Sequence, residues 1–133
     1  MRKLLIVASV FAAATAAAAT PDALLQDYAA QARRSDSAFA PSAARGEAFF
    51  RRSHARDAGP AACADCHTDD PRREGRTRAH KTIAPMAPAA NSERLTDAAK
   101  AEKWFGRNCQ DVVGRACTPA EKADFIAWLV SIK

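Results

Sequence analysis

Apolar positions along this chain fall into four helical stripes joined by polar, proline-bearing connections. Thr20-Pro21-Asp22 reads as an N-cap, a first-turn proline and an early acid, and it opens a helix ending near Arg34 with Leu24, Leu25 and Tyr28 on one face. The polar stretch from Ser35 to Ser42 leads into a second predicted helix around Ala43 to Arg52, where Gly46, Phe49 and Phe50 offer a small-against-large contact face. A third helix is predicted from about Thr96 to Asn108, capped by Thr96 or Asp97, with Ala101, Trp104 and Phe105 inward and Cys109 directly after it. The last opens on Thr118-Pro119-Ala120-Glu121, a capping box with proline at the first helical position, and buries Phe125, Ile126 and Leu129. From Arg56 to Asn91 prolines, glycines and charges crowd together, which favours a long irregular segment wrapped around a cofactor. No alternating strand pattern and no internal repeat stands out, so the expected domain is all-α, with the helices either side of that segment free to cross.

Composition sharpens this picture. Arg2 and Lys3, the apolar run Leu4 to Phe11 and the small residues Ala17 to Ala19 read as a secretory signal over residues 1–19, leaving one domain over 20–133 with no membrane span. Without Arg2 and Lys3 the balance is 18 basic against 15 acidic residues, a net charge of +3, which does not imply nucleic acid. Leu, Ile, Val and Phe number only 15 from Thr20 onward, because alanine supplies 34 residues of the chain. So thin a core needs a disulfide, a metal or a bulky cofactor, and four cysteines in an exported chain allow each.

The sharpest chemical signal is Cys63-Ala64-Asp65-Cys66-His67, the C-x-x-C-H pattern of c-type haem attachment. Two thiols three positions apart can each form a thioether to a haem vinyl group, while the adjacent imidazole reaches the iron from one face. A thioredoxin-like motif would need a strand-to-helix junction that the pattern lacks. A zinc site would have to use the awkward adjacent pair Cys66 and His67, and a plain disulfide is the third alternative. Four residues are candidates for the position opposite His67. Met86, in Ile83-Ala84-Pro85-Met86-Ala87-Pro88, looks like the proline-flanked methionine loop of electron-carrier cytochromes, and a soft thioether would give a sealed site. His54 and His80 would give a bis-histidine site. Asn108 is the fourth, or else it satisfies backbone groups at a helix end.

The stretch from Lys81 to Trp128 resembles the sphaeroides haem protein family of monohaem c-type cytochromes. The resemblance is carried by Ile83-Ala84-Pro85, Arg94, Thr96-Asp97, Glu102-Lys103-Trp104, Gly106-Arg107-Asn108-Cys109, Gly114-Arg115, Cys117-Thr118 and Glu121-Lys122-Ala123-Asp124. It implies a class I cytochrome c-like helical domain around one covalent haem c held by Cys63, Cys66 and His67. It also implies Asn108 as the sixth ligand and a disulfide between Cys109 and Cys117. A hard, neutral amide oxygen should hold ferric iron and release the softer ferrous iron, so reduction would open a site for oxygen, nitric oxide or carbon monoxide.

The expectation is therefore a periplasmic electron-accepting and gas-binding haem protein rather than a dedicated enzyme, with a His67/Met86 electron carrier as the alternative. Turnover of a small substrate at the opened iron is a third reading, for which the sequence offers no general acid or base. By resemblance, the redox partners are a dihaem c-type cytochrome or a membrane cytochrome b. The basic run Arg72, Arg73, Arg76, Arg78 and Lys81 would steer an acidic partner, face solvent or pair with haem propionates.

Overall fold

The computed structural model describes residues 19–54 and 60–133; the leader expected over residues 1–19 lies outside the described residues apart from Ala19. The element order is α1 (Pro21–Arg33), α2 (Ala43–Arg51), α3 (Ala64–His67), β1 (Gly75–Arg76), β2 (Thr82–Ile83), α4 (Ala98–Val112) and α5 (Pro119–Ser131). Each long helix starts where a short polar side chain takes up an orphan amide. Thr20 Oγ1 accepts from Ala23 N at 3.1 Å, Ser42 Oγ from Arg45 N at 3.3 Å and Asp97 Oδ1 from Lys100 N at 2.9 Å. At α5 the capping box is complete: Thr118 Oγ1 accepts from Glu121 N at 3.2 Å while Glu121 Oε2 accepts from Thr118 N at 2.8 Å.

Helix α5 is the centre of the fold, packed against both α1 and α2. Its Ala123 and Ile126 meet Leu24, Tyr28 and Ala29 of α1, and its Phe125, Trp128 and Leu129 enclose Phe50 of α2. The crossing with α2 is close because Gly46 faces the Asp124 carbonyl with no side chain between them. Asp124 fastens the same crossing with its carboxylate. That group is 6% exposed, and it accepts from Ser42 N at 2.7 Å and from Arg45 Nε and Nη2 at 2.7 and 2.8 Å.

Helix α4 is attached at separate points. Glu102 accepts from Tyr28 Oη and from Lys122 Nζ, each at 2.7 Å, and Phe105 meets Tyr28 and Phe125 edge-on. Further along, Cys109 is bonded to Cys117, with 5.6 Å between their Cα atoms.

Three expectations are corrected. Cys109 lies inside α4 rather than after it, because nothing breaks the helix at Asn108; the stop is Gly114, at φ 84°, whose N–H donates to the Cys109 carbonyl. Trp104 is not inward: it is 42% exposed with the Arg107 guanidinium 5.4 Å from its ring centre. The buried stripe of α4 is Ala101, Cys109 and Val112, with Phe105 half-buried beside it, and Trp104 falls off its edge. Finally, the segment expected to be irregular contains the one-turn α3 and an antiparallel ladder pairing Gly75 with Ile83 and Arg76 with Thr82. Its residues 55–59 lie outside the described residues.

Candidate functional site

The Cys63–His67 turn is built by local hydrogen bonds. Asp65 Oδ2 accepts from Ala61 N at 2.8 Å and Ala62 N at 3.0 Å, bracing the approach, and His67 N donates to the Cys63 carbonyl at 3.1 Å. Thr68, at φ 62°, ends the turn. Cys63 packs with Ala64 and Met86 against the Phe50, Phe125, Trp128 and Leu129 cluster, so the motif sits on the helix crossing. Both thiols are unbridged. Burial pushes the Cys63 thiol up to about 11, and burial with the neighbouring Asp65 charge raises that of Cys66. These are protonated thiols, not the activated thiolates of a redox C-x-x-C pair. Among the described residues no group of three or more His, Cys, Asp or Glu side chains has the arrangement of a metal-ion site.

His67 is desolvated first by burial and then opposed by the positive charge of Arg94, which together take its imidazole down to about 4. It is therefore neutral near pH 7, the form that ligates metals. The chain that follows folds back onto it. A Cβ on Gly75 would meet the Cys66 carbonyl and, at 2.9 Å, His67 Cα, so only glycine lets β1 lie against the motif. The ladder then sets Ile83 beside Gly75, and the N–H groups of Met86 and Ala87 donate to the Pro71 carbonyl at 2.8 and 3.0 Å. Arg94 closes the bundle: Nε donates to the Pro85 carbonyl at 3.0 Å and Nη2 to that of Ala84 at 2.7 Å. The Met86 segment is thus tied to the strand of chain leaving His67.

The other candidates stand apart from that strand or at its tip. His80, at φ 58°, is exposed in the turn between β1 and β2. His54 packs edge-on to Phe49 with ring centres 5.3 Å apart, donates its backbone N–H to the Ala61 carbonyl at 2.7 Å and is bonded to the Phe49 carbonyl; burial lowers its basicity. Phe49 in turn packs on Cys109 and Cys117. Asn108 is half-buried in the interior of α4, roughly 20° from Ala101 around the helix, with Cys109 about 80° to the other side. Its carboxamide makes no hydrogen bond among the described residues, and the helix continues to Val112, so it is not capping an end. Arg72 pairs with Asp70, whereas Arg73, Arg76, Arg78 and Lys81 are exposed around the ladder.

Sequence reasoning missed Gly75 as a seat for the motif, although a lone glycine in a run of charges was its signal. It also missed the brace that Arg94 forms, for which no local signal exists.

A family model described as "Domain of unknown function (DUF1924)" matches residues 36–129. Cytochrome c-type protein SHP of Cereibacter sphaeroides is 56% identical over 69 residues, 52% of this chain and 54% of that protein. Cytochrome c'' of Methylophilus methylotrophus is 44% identical over 94 residues, 69% of this chain and 65% of that protein. The chain thus spans somewhat over half to nearly two thirds of these relatives' own lengths. The solved structure of oxidised SHP, an oxygen-binding cytochrome c, superposes with TM-score 0.77 at 42% identity, covering 86% of this chain and 98% of that one. The chain belongs to the sphaeroides haem protein family. As a member of this family of monohaem c-type cytochromes it has the all-α cytochrome fold and carries one covalent haem c. The residues fit such a group: two protonated thiols one turn apart, a neutral, half-buried imidazole beside them and an aromatic cluster beneath. Among the described residues of this sphaeroides-type domain, no helix is long and apolar enough to cross a membrane.

Proposed function

We propose that this chain is a periplasmic haem protein that accepts an electron and binds a diatomic gas when reduced. Cys63 and Cys66 attach the haem, His67 ligates its iron on one face and Asn108 on the other. When bound, the haem supplies a one-electron couple and, once its weaker axial bond is released, a coordination position for oxygen, nitric oxide or carbon monoxide. The protein's part is to offer at that position an amide oxygen, hard enough to favour ferric over ferrous iron. The observation that carries Asn108 over Met86 is the fastening of the Met86 segment to Pro71, Gly75 and Arg94, on the chain that leaves His67. That fastening favours a ligand from elsewhere in the chain, and Asn108 is a half-buried amide that makes no hydrogen bond among the described residues, on a helix that packs over the same core. That the related SHP is an oxygen-binding cytochrome c supports the gas-binding half of the reading.

Export by residues 1–19 would place the protein where covalent haem is attached. Electrons would come from a dihaem c-type cytochrome or a membrane cytochrome b, with Arg73, Arg76, Arg78 and Lys81 meeting acidic groups on the donor. The test exchanges the two rival ligands. Asn108→Ala should open the ferric site to water and added ligands, Met86→Ala should alter packing alone, and reduced wild type should become five-coordinate and take up carbon monoxide. A reduced wild type that stays six-coordinate, low-spin and inert to carbon monoxide would refute gas binding and favour Met86.

A further inference from the structure

Arg94 is half-buried, and burial lowers its basicity. Arg45, Arg51, Arg72 and Arg115 each face a carboxylate while their side chains remain 41–56% exposed. Arg94 is less exposed than these, and among the described residues no carboxylate pairs with it. Its two bonds go to the neutral carbonyls of Ala84 and Pro85 through Nε and Nη2, leaving the rest of its five-donor fork unspent. A desolvated cation is retained in a fold when an anion completes it. The place is specific, because the Ala84 and Pro85 carbonyls that Arg94 holds lead directly into Met86, which packs with Cys63 and Ala64 on the Phe50 cluster. A c-type haem carries two propionate carboxylates, and the thioethers at Cys63 and Cys66 fix which way they point.

We propose that Arg94 is the anchor of a haem propionate: Nε and Nη2 hold the Ala84–Pro85 carbonyls, and the remaining N–H donors take the carboxylate. The guanidinium is thereby a fixed positive charge beside the haem, disfavouring the ferric state. Carbonyl bonds on one side and a carboxylate on the other also explain the choice of arginine, since a lysine ammonium carries the charge without the planar fork. This inference rests on the placement of haem at Cys63, Cys66 and His67, and not on the identity of the ligand opposite.

The test uses the haem-loaded protein. In oxidised wild type, nuclear magnetic resonance titration of the propionates should find one that stays ionised well below the ordinary carboxylate value of about 4.3. Arg94→Gln should reduce the ferrous-to-ferric ratio at a fixed applied potential about tenfold, which is about 59 mV for a one-electron couple. It should also make the potential vary with pH as the released propionate titrates. Arg94→Lys should retain most of the wild-type potential. Both propionates titrating at or above the ordinary value overturns the proposal even where no variant folds. So do equal potentials for Arg94→Gln and wild type, or equal shifts in the glutamine and lysine variants, the pattern of a purely structural brace. Wild-type protein without covalent haem would instead overturn the haem placement, so the two failures are distinguishable.

Discussion

Two glycine-to-alanine changes in helices of this chain should have opposite signs. Alanine gains about 0.8–1.0 kcal/mol over glycine in a helix interior. At Gly106 in α4 a Cβ would meet nothing within 4 Å, so Gly106→Ala should realise that gain and raise the melting temperature by about 3–5 °C. At Gly46 in α2 the new Cβ would meet the Asp124 carbonyl and, at 2.9 Å, the Phe125 nitrogen. Ordinary contacts lie at about 3.5–4.0 Å, and both obstructing groups are backbone, so α2 and α5 must part by roughly 1 Å. A gap of that size forfeits about a quarter to a half of the contact energy around Phe50, a fully buried side chain worth about 3 kcal/mol. It also stretches the bonds from Ser42 and Arg45 to the buried Asp124 carboxylate, each worth about 1 kcal/mol or more. The net destabilisation of Gly46→Ala, after the propensity gain, is about 2–4 kcal/mol, or about 8–15 °C in a domain of this size. Thermal melts of the haem-loaded variants followed by far-ultraviolet circular dichroism read both effects. A Gly46→Ala protein melting at or above wild type would show that the crossing has room, and would refute the close-packed account of the core.

Reduction of the Cys109–Cys117 bond, or Cys117→Ser, should lower stability by about 2–3 kcal/mol from the entropy of so short a loop while leaving haem attached; differential scanning calorimetry with haem absorbance checks both parts. His54 has its basicity lowered in the fold, so the unfolded chain binds the extra proton first and stability falls as pH drops through the ordinary histidine value of about 6.5. Urea midpoints from pH 7.5 to 5 should show that loss shrinking in His54→Gln, and equal slopes in the two proteins would rule His54 out as its source.

The helices were legible because their signals are local. Thr20-Pro21, Thr118-Pro119 with Glu121, and the Phe49-Phe50 pair each specify an end or a face without help from distant chain. The haem motif was legible for the same reason, since five consecutive residues carry all of its chemistry. The misplaced end of α4 shows the opposite case: asparagine near a run of apolar positions resembles a stop, but Gly114 has the left-handed conformation that ends the helix. Trp104 was misassigned because helical periodicity allots a tryptophan to the inner face whenever it lies near the stripe, and only the angular position of Ala101, Cys109 and Val112 excludes it. Nothing local marks the chain folding back over His67, because it depends on Pro71, Gly75 and Arg94 meeting residues 8 to 15 positions away, such as Met86, Ile83 and Pro85.

The attachment of α4 bears on how an axial ligand at Asn108 would let go. Six residues before Asn108, Glu102 is held by Tyr28 of α1 and Lys122 of α5, and immediately after it Cys109 is covalently joined to the segment leading into α5. Between these fasteners Phe105 is wedged against Tyr28 and Phe125. A helix pinned on both sides of one residue cannot withdraw that residue by swinging or unwinding without breaking a disulfide or a buried aromatic contact. Release of the amide from reduced iron would therefore be a side-chain rotation on a stationary backbone, an event of the picosecond-to-nanosecond class rather than a domain motion. The same pinning would keep the carboxamide close to the position it left, so its rebinding would compete with an incoming gas. On the proposed reading, helix fastening as well as the strength of the amide bond would set how tightly a gas is held.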